Sequence, residues 1–367
     1  MSWVLAFLGF AALVVLHEFG HFAAAKAVGM RVERFSLFFP PLVWRWRPKG
    51  SETEYAVGAL PLGGYVKITG MNPTEELPEE VAGRAYYRQK PWKRIVVIAA
   101  GPAANLLVAF LILFGLFLAQ GKVVQDAHGT ARSSTVVGPG LQQPAASVLR
   151  EGDRLVAVDG RRGGSEALRR QIASHACPGG RRAAGCVAAT PVRLTVVRDG
   201  RTVTVSARPR YDGQRKRMLL GFGFEPQRAG VGAVEAAELS ITGMWTVTKA
   251  TVSAIARIVT PEGREQISGV VGSYERTRQA FTFDTTTALQ ILALISLSLA
   301  IVNLFPFLPL DGGHIFWAVA EKVRGKAIPF AVMERAGVVG FILVMFLFFI
   351  GLSNDIGRLS GEGFGFR

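Results

Sequence analysis

The sequence lacks three features, and each absence argues against a class of protein. No basic cluster precedes the opening apolar run, residues 3–28, so this run lacks the n-region of a secretory signal. The 42 Lys and Arg residues form no stripe interleaved with aromatic side chains, which argues against nucleic-acid binding despite a net charge of +15. No inverted repeat is visible, which argues against a transporter. A cleaved signal stays open as an alternative, because residues 23–25 are all Ala and resemble a cleavage site.

Long apolar runs, by contrast, are abundant. Half of the residues are hydrophobic and the mean hydropathy is +0.30, which is typical of a membrane protein with soluble insertions. Four runs are long enough to predict membrane spans, at residues 3–28, 95–119, 288–311 and 336–352, although the last is short. An even number of spans places both termini on the same side of the membrane.

Basic residues predict the orientation of these spans. Short loops rich in Lys and Arg stay in the cytoplasm. Loops 29–94 and 312–335 are therefore predicted to be cytoplasmic, and the termini and segment 120–287 are predicted to be outside. The basic residues beside the second span and in the later loop are Lys90, Lys93, Arg94, Lys322, Arg324, Lys326 and Arg335.

The first span carries the motif His17-Glu18-Phe-Gly-His21. Residues four apart share one face of a helix, so both imidazoles can direct a nitrogen to one zinc ion. Three protein ligands leave one position of zinc to water, and a neighbouring carboxylate such as Glu18 can accept a proton from that water. Ionisable groups in a membrane span are costly unless an ion or a cavity compensates them. The motif therefore predicts a metal site inside the membrane, with a chance match on a surface helix as the alternative.

Residues 303–314 contain a candidate for the third ligand. Two prolines and two glycines interrupt the apolar run here, and such backbone is tolerated at membrane depth only where it lines protein or a cavity. Asp311 has the chemistry to complete a His, His, Asp zinc set if the first and third spans pack side by side. A helix-ending Asp-Gly turn at the membrane surface is the alternative. His314 is expected to lie beside the site without ligating, because a fourth protein ligand would block the open position.

Together these motifs resemble those of the site-2 protease family of intramembrane zinc metalloproteases, and more closely the bacterial regulator-of-sigma-E proteases of the peptidase M50 type. The resemblance covers nearly the whole chain. It implies zinc ligands at His17, His21 and Asp311 and a catalytic base at Glu18. It also implies that Asn303, upstream of the aspartate, lies near the substrate, with helix packing as an alternative role.

This resemblance implies a function and a location. The expected substrate is a single-span membrane protein, such as an anti-sigma factor, cut after a first protease has removed its outer domain. Zn2+ is the expected cofactor, a bacterial inner or plasma membrane the expected location, and the active site is expected to face the cytoplasm. The expected partners are this substrate and the lipid bilayer, without nucleic acid. A non-proteolytic membrane scaffold with a structural zinc is the alternative, although such a site would not need Glu18.

Residues 54–71 alternate apolar and polar side chains around a Pro-Leu-Gly-Gly turn, which predicts a β-hairpin near the site. A protease must unwind a transmembrane helix before cutting it, and an edge strand can replace the lost hydrogen bonds by β-addition. The resemblance implies this role, because family members carry a membrane-reentrant β-loop here. Gly63, Gly64 and Tyr65 are the expected substrate contacts, and a plain surface hairpin is the alternative.

The second span opens with Gly101-Pro102-Ala-Ala-Asn105. Small residues permit close approach of helices. A similar Gly-Pro-x-x-Asn in the family implies that this stretch packs against the helix that carries His17.

Residues 120–212 change to short β-rich runs, and the stretch from Gly152 to Gly160 resembles a PDZ domain. No Gly-Leu-Gly-Phe loop is visible at its start, so the resemblance implies a gate against untrimmed substrates rather than binding of peptide tails. Cys177 and Cys186 suit a disulfide in an oxidising compartment, with two free thiols as the alternative. His128 and His175 are interpreted as solvated loop residues.

The predicted fold class is a polytopic α-helical membrane protein of about four spans, with a cytoplasmic membrane-associated β-hairpin and an extracytoplasmic PDZ-like α+β domain. Periodicity in residues 231–259 predicts a helix along the outer membrane face. The predicted segments are a first span in 1–28, the hairpin loop 29–94, a second span 95–119, the PDZ-like domain 120–212, an amphipathic linker 213–287, a third span 288–311, a loop 312–335, a fourth span 336–352 and a tail 353–367.

Overall fold

The computed structural model describes residues 2–72, 75–126, 129–180, 183–257, 260, 269–283 and 285–360. Contacts divide the chain into a helical unit, drawn from residues 1–116 and 234–367, and a β unit, residues 117–233. The helices are α1 Ser2–Ala27, α2 Glu79–Ala82, α3 Pro91–Gln120, α4 Ser165–Ala173, α5 Ala233–Ala256, α6 Val270–Phe283, α7 Thr285–Asn303, α8 Asp311–Arg324 and α9 Phe330–Ser360. The strands are β1 Val32–Trp46, β2 Glu54–Ile68, β3 Lys122–Val123, β4 Ser133–Val137, β5 Arg154–Val158, β6 Arg161–Arg162, β7 Val192–Arg198, β8 Arg201–Ala207, β9 Arg210–Asp212, β10 Arg217–Leu219, β11 Phe224–Pro226 and β12 Arg228–Ala229.

Among the described residues, four helices are long and apolar enough to cross a membrane: α1, α3, α7 and α9. This result fits the predicted polytopic membrane protein. α7 ends at Asn303, whereas the prediction extended the third span to residue 311. Pro306 and Pro309 lack the N–H groups that a continuing helix needs, so a separate helix, α8, begins at Asp311. α9 extends beyond the predicted range 336–352 at both ends.

α5 packs along one face against two helices of the helical unit. Its Met244 and Val247 contact a cluster formed by Ala109 of α3 and by Leu297 and Ile301 of α7. The periodicity of the sequence indicated this helix, but an interface with two distant helices is not a local property. The exposed large apolar side chains of α5 are Val234, Ile241, Trp245 and Val252.

β1 and β2 form an antiparallel sheet in which residues 34–37 of β1 are paired on both sides. One side pairs with residues 54–57 of β2, and the other pairs with residues 64–67. The two arms of β2 therefore flank β1 and do not pair with each other, so the predicted hairpin around the Pro-Leu-Gly-Gly turn is wrong. The antiparallel partner of β2 is β1, and this arrangement satisfies the backbone groups of residues 34–37 at both edges.

The β unit is built on an antiparallel sheet with strand order β11-β4-β5-β7-β8, and β6 pairs with β5. Leu168 and Ile172 of α4 pack into the core beneath the sheet. Because β11 pairs with β4 and β12 pairs with β3, the unit continues to residue 229, whereas the predicted domain ended at residue 212. Local sequence patterns do not indicate pairing across such a separation.

Cys177 and Cys186 form a disulfide in the β unit, which selects one of the two alternatives that the sequence left open. Cys177 is buried, and this part of the unit packs around the disulfide. The residues that accompany the two cysteines in this small cluster are Ala188, Met218 and Tyr211.

His175 is not a solvated loop residue, contrary to the interpretation from the sequence. Its Nε2 lies 2.9 Å from Asp159 Oδ2, and its Nδ1 lies 3.0 Å from Thr190 Oγ1. Both partners come from other segments of the β unit, so the ring bridges them. His128 lies outside the described residues.

An ion pair joins Asp153, the residue before β5, to Arg198, the last residue of β7. Arg198 donates two hydrogen bonds to Asp153, from Nε to Oδ1 at 2.8 Å and from Nη2 to Oδ2 at 2.6 Å. The backbone N–H of Arg150 donates a third, at 2.8 Å. Asp153 is 2% exposed, and its hydrogen bonds with Arg198 hold the pKa of its carboxyl below the usual range. The stabilisation is therefore complete above the unfolded pKa of about 3.9 and is lost as pH falls through the lower folded pKa.

Replacing Asp153 by Asn is expected to destabilise the β unit by about 3 kcal/mol, because it leaves the Arg198 guanidinium without its counter-charge. Amide hydrogen exchange of β5 and β7, measured on the full chain at pH 7, checks this value. Asp199→Asn is the matched control, because Asp199 is exposed in the adjacent turn. Equal protection in both variants would contradict the prediction.

Candidate metal centre

Three side chains that are distant in the sequence meet in the helical unit. His17 and His21 lie one turn apart on α1, and Asp311 is the first residue of α8. The two Nε2 atoms are 3.3 Å apart, and Asp311 Oδ2 lies 3.3 Å from Nε2 of His17 and 3.4 Å from Nε2 of His21. Both histidines are buried. The structure thus brings together the three residues that the sequence analysis predicted as ligands.

The spacing of these atoms suits zinc. Zinc bonds to nitrogen and oxygen at about 2.0–2.1 Å, and a tetrahedral ion then separates its ligand atoms by about 3.3–3.4 Å. Asp311 Oδ2 is buried and has no hydrogen-bond partner among the described residues. Three potential ligand atoms that converge on one small space can hold a cation between them. The donor set and its dimensions therefore fit Zn2+.

Two glycines allow the chain to approach the start of α8. A Cβ on Gly312 would lie 2.2 Å from the Leu304 carbonyl oxygen, and a Cβ on Gly313 would lie 2.4 Å from the Leu308 nitrogen. The segment between α7 and α8 therefore passes where side chains at 312 and 313 would have to be. The two glycines after Asp311 are thus required by packing, because larger residues would collide with this segment.

An ion pair holds α8 against α3. Arg94 of α3 donates a hydrogen bond to Glu321 of α8, and its guanidinium lies 5.8 Å from the ring centre of Tyr86. Both charged side chains are largely shielded from solvent. Because Asp311 begins the same helix, this pair contributes to the placement of the carboxylate.

α3 runs beside the histidines and contacts both rings. His21 Nδ1 donates a hydrogen bond to the Val97 carbonyl oxygen at 2.9 Å. Since a carbonyl only accepts, the ring hydrogen of His21 is on Nδ1, and Nε2 is free for a metal. A Cβ on Gly101 would lie 2.2 Å from His21 Nε2, so α3 passes this ring at a residue without a side chain. One turn further along α3, Asn105 lies beside His17.

Glu18 lies beside the three clustered side chains and against the β1–β2 sheet. A Cβ on Gly64 of β2 would lie 2.9 Å from Glu18 Cγ, so the strand passes directly against the side chain. An acid is thus placed beside the metal-binding groups and beside a strand at the same time.

The other predicted site residues are more peripheral. Gly63 and Tyr65 contact Phe39: a Cβ on Gly63 would lie 2.9 Å from its ring, and the Tyr65 and Phe39 rings are stacked at 5.9 Å. Asn303 is the partly exposed last residue of α7. In the part of the chain that the structure describes, the group of potential ligands does not include His314.

Sequence reasoning missed the contacts of α3 with the two rings. It interpreted the stretch from Gly101 to Asn105 as a surface for close helix packing, without the hydrogen bonds. A signal was present, because Val97, Gly101 and Asn105 repeat the four-residue spacing of the two histidines. Two helices with matching spacings can align their contacts turn by turn.

A His, His, carboxylate set beside a glutamate, in a unit with membrane-spanning helices, is the arrangement of a membrane-associated metalloprotease. The model of Peptidase family M50 matches residues 5–347, and the chain belongs to this family. The resemblance found from the motifs is thereby confirmed.

Named relatives agree with this assignment. The chain is 30% identical over 360 residues to "Putative zinc metalloprotease all3971" of Nostoc sp., and the alignment covers 94% of this chain and 93% of the relative. It is 28% identical over 376 residues to "Putative zinc metalloprotease R01501" of Rhizobium meliloti, with 95% and 94% covered. It is 29% identical over 360 residues to "Zinc metalloprotease Rip1" of Mycobacterium tuberculosis, with 85% and 83% covered.

Proposed function

We propose that the protein is an intramembrane zinc endopeptidase of the site-2 type, which hydrolyses a peptide bond in the spanning segment of a single-span membrane protein. The observation that carries this proposal is the meeting of His17, His21 and Asp311 beside Glu18, in a unit of helices apolar enough to cross a membrane. The names of the relatives support zinc as the metal and proteolysis as the reaction.

The residues have distinct roles in this reaction. His17, His21 and Asp311 would hold zinc through three positions and leave the fourth open. Bound zinc supplies Lewis-acid polarisation of a carbonyl oxygen and of water. Glu18 accepts a proton from water as it attacks the peptide carbonyl, and returns the proton to the leaving amine as the C–N bond breaks.

The sheet beside Glu18 is suited to present an unwound substrate. Residues 64–67 of β2 pair with β1 on one side, and Gly64 of this arm lies against Glu18. A substrate segment that leaves its helix loses internal hydrogen bonds, and addition of this segment to a strand restores them. This arm of β2 would therefore hold the scissile bond in an extended conformation next to the base.

Charge and surface chemistry support an orientation in the membrane. The basic loops suit the cytoplasm, so we place the active site toward the cytoplasm, and the termini and β unit outside a bacterial inner membrane. The disulfide suits an oxidising compartment. We assign the β unit as a PDZ-like gate against untrimmed substrates, and anti-sigma factors as the substrate type. Exposed apolar side chains of the β1–β2 sheet suit contact with the bilayer; they are Phe39, Val43, Trp44, Trp46 and Leu60.

Cleavage in vesicles tests the proposal. The full-length protein is reconstituted with tagged single-span proteins that lack their outer domains, and mass spectrometry locates the new termini. Cuts inside the apolar segment of the substrate support the proposal. Cuts confined to segments outside the bilayer, or binding of the proteins without any cut, would contradict it and favour a membrane scaffold.

Removal of zinc is expected to stop cleavage. Lewis-acid polarisation is worth several kcal/mol, so 1,10-phenanthroline should lower the rate by more than about 100-fold. Stoichiometric zinc should restore the activity. The isomer 1,7-phenanthroline, which does not chelate, is the control, and full activity in the presence of the chelator would contradict the prediction.

A further inference from the structure

Asn105 has no role in the reaction described above, yet it is fully buried against a metal-binding histidine. Its Nδ2 lies 3.1 Å from His17 Nδ1, the ring nitrogen that faces away from the metal site. Its Oδ1 is buried and has no hydrogen-bond partner among the described residues. Ser296 Oγ of α7 donates a hydrogen bond to the Asn105 backbone oxygen at 2.9 Å, which ties this turn of α3 to a second helix.

Ligation restricts how this amide can be oriented. His17 can bind a metal through Nε2 only if its ring hydrogen is on Nδ1. An amide NH2 group directed at Nδ1 would require the opposite tautomer, with a hydrogen on Nε2 that points at Asp311 and His21. A half-turn of the amide exchanges Oδ1 and Nδ2 without moving the rest of the side chain. This half-turn brings Asn105 Oδ1, a hydrogen-bond acceptor, to His17 Nδ1–H.

We propose that Asn105 is a positioning residue, whose Oδ1 accepts a hydrogen bond from His17 Nδ1–H and thereby fixes the tautomer that binds zinc. α3 then accepts the same type of hydrogen bond from both histidines: His21 Nδ1–H donates to the Val97 backbone oxygen, and His17 Nδ1–H donates to the Asn105 side-chain oxygen. Val97 and Asn105 are eight residues apart, about two turns, so they lie on the same face of α3. His17 and His21 are four residues apart, about one turn, so they lie on the same face of α1. This inference rests on the metal site of the proposed function.

Zinc affinity tests the inference without any substrate. The full-length protein in detergent is titrated against chelators of known zinc affinity. Loss of a bond that orients a histidine ligand typically costs 10–100-fold in metal affinity, so Asn105→Leu should weaken zinc binding about 10–100-fold. Asn105→Asp keeps an acceptor oxygen and should stay within about threefold of the parent or bind more tightly, as carboxylate–histidine–zinc triads do.

A role in packing alone predicts the reverse order. Leu is close in size to Asn and would be tolerated, whereas a buried carboxylate would be the damaging change. Ser296→Ala is the matched control, because it removes a hydrogen bond to Asn105 without touching His17. Unfolding of the zinc-free proteins shows whether each variant is folded, and Asn105→Ala replaces the Leu variant if that variant does not fold.

The outcomes separate this inference from the proposed function. Weaker zinc binding by the Leu or Ala variant, with affinity kept by the Asp and Ser296→Ala variants, supports it. Parental affinity in the Leu variant, or the largest loss in the Asp variant, would overturn it and leave the proposed protease intact. A parent protein that binds no zinc would overturn both.

Discussion

Glu18→Gln is expected to lower cleavage by about 10²–10⁴-fold while zinc stays bound, because general acid–base catalysis contributes this much to rates. Glutamine has the shape of glutamate, so the tight contact with Gly64 persists. Its amide cannot accept a proton from water at neutral pH. Since Glu18 is not one of the three clustered ligand residues, the metal-binding groups are unchanged. Both kcat and kcat/KM should fall, because the proton transfer occurs only in the transition state.

Initial rates with a trimmed single-span substrate, and zinc content by elemental analysis, measure both parts of this result. Glu238→Gln is the control, because Glu238 is an exposed glutamate on α5. Equal amounts of product from the Glu18 variant and the parent would remove Glu18 from the chemistry. Loss of zinc along with activity would show that Glu18 supports the metal site, so the rate could not be assigned to proton transfer.

Gly101→Ala is expected to weaken zinc binding by more than about 100-fold and to abolish cleavage. The added Cβ would lie 2.2 Å from His21 Nε2 and 2.5 Å from its Cε1, which is far inside van der Waals contact. The ring would have to leave its position, and its hydrogen bond to the Val97 oxygen would break. Changes outside the ligands typically cost 10–100-fold in metal affinity, and displacement of the ligating nitrogen should cost more.

A second glycine on α3 provides the comparison. Gly115 has nothing within 4 Å of an added Cβ, so Gly115→Ala should keep the parental zinc affinity and activity. Intrinsic helix propensity favours Ala over Gly at both positions. A difference between the two variants therefore reports tertiary packing. Equal behaviour would mean that α3 does not approach His21 as closely as the structure places it.

Local physics explains why much of the site was visible in the sequence. The spacing of His17 and His21 predicts a shared helix face because helix geometry is local. Asp311 was predicted from its chemistry and from the prolines and glycines around it. The end of the third span was not predicted correctly, because hydropathy continues past Asn303 while the helix does not. Apolar character measures the preference for a membrane, and backbone hydrogen bonding decides where a helix ends.

Features that depend on pairing of distant segments were missed. The prediction paired the two arms of residues 54–71, and the structure places residues 34–37 between them. Alternation of side chains predicts a strand but does not identify its partner. The interpretation of His175 failed for the same reason, since Asp159 and Thr190 reach its ring only in the folded β unit.

By itself the sequence determined the class of the protein, the helices able to span a membrane, and the three side chains that cluster as candidate ligands with a glutamate beside them. Periodicity, hydropathy and donor chemistry are properties of short segments, so they can be recognised without the fold. Only the tertiary structure decided how these candidate ligands are held. The contacts of Val97, Gly101 and Asn105 with the two histidines form only when α3 lies against α1. The contact of Gly64 with Glu18 forms only when β2 lies against α1. Such contacts depend on fractions of an ångström between segments far apart in the chain, and close packing makes them specific.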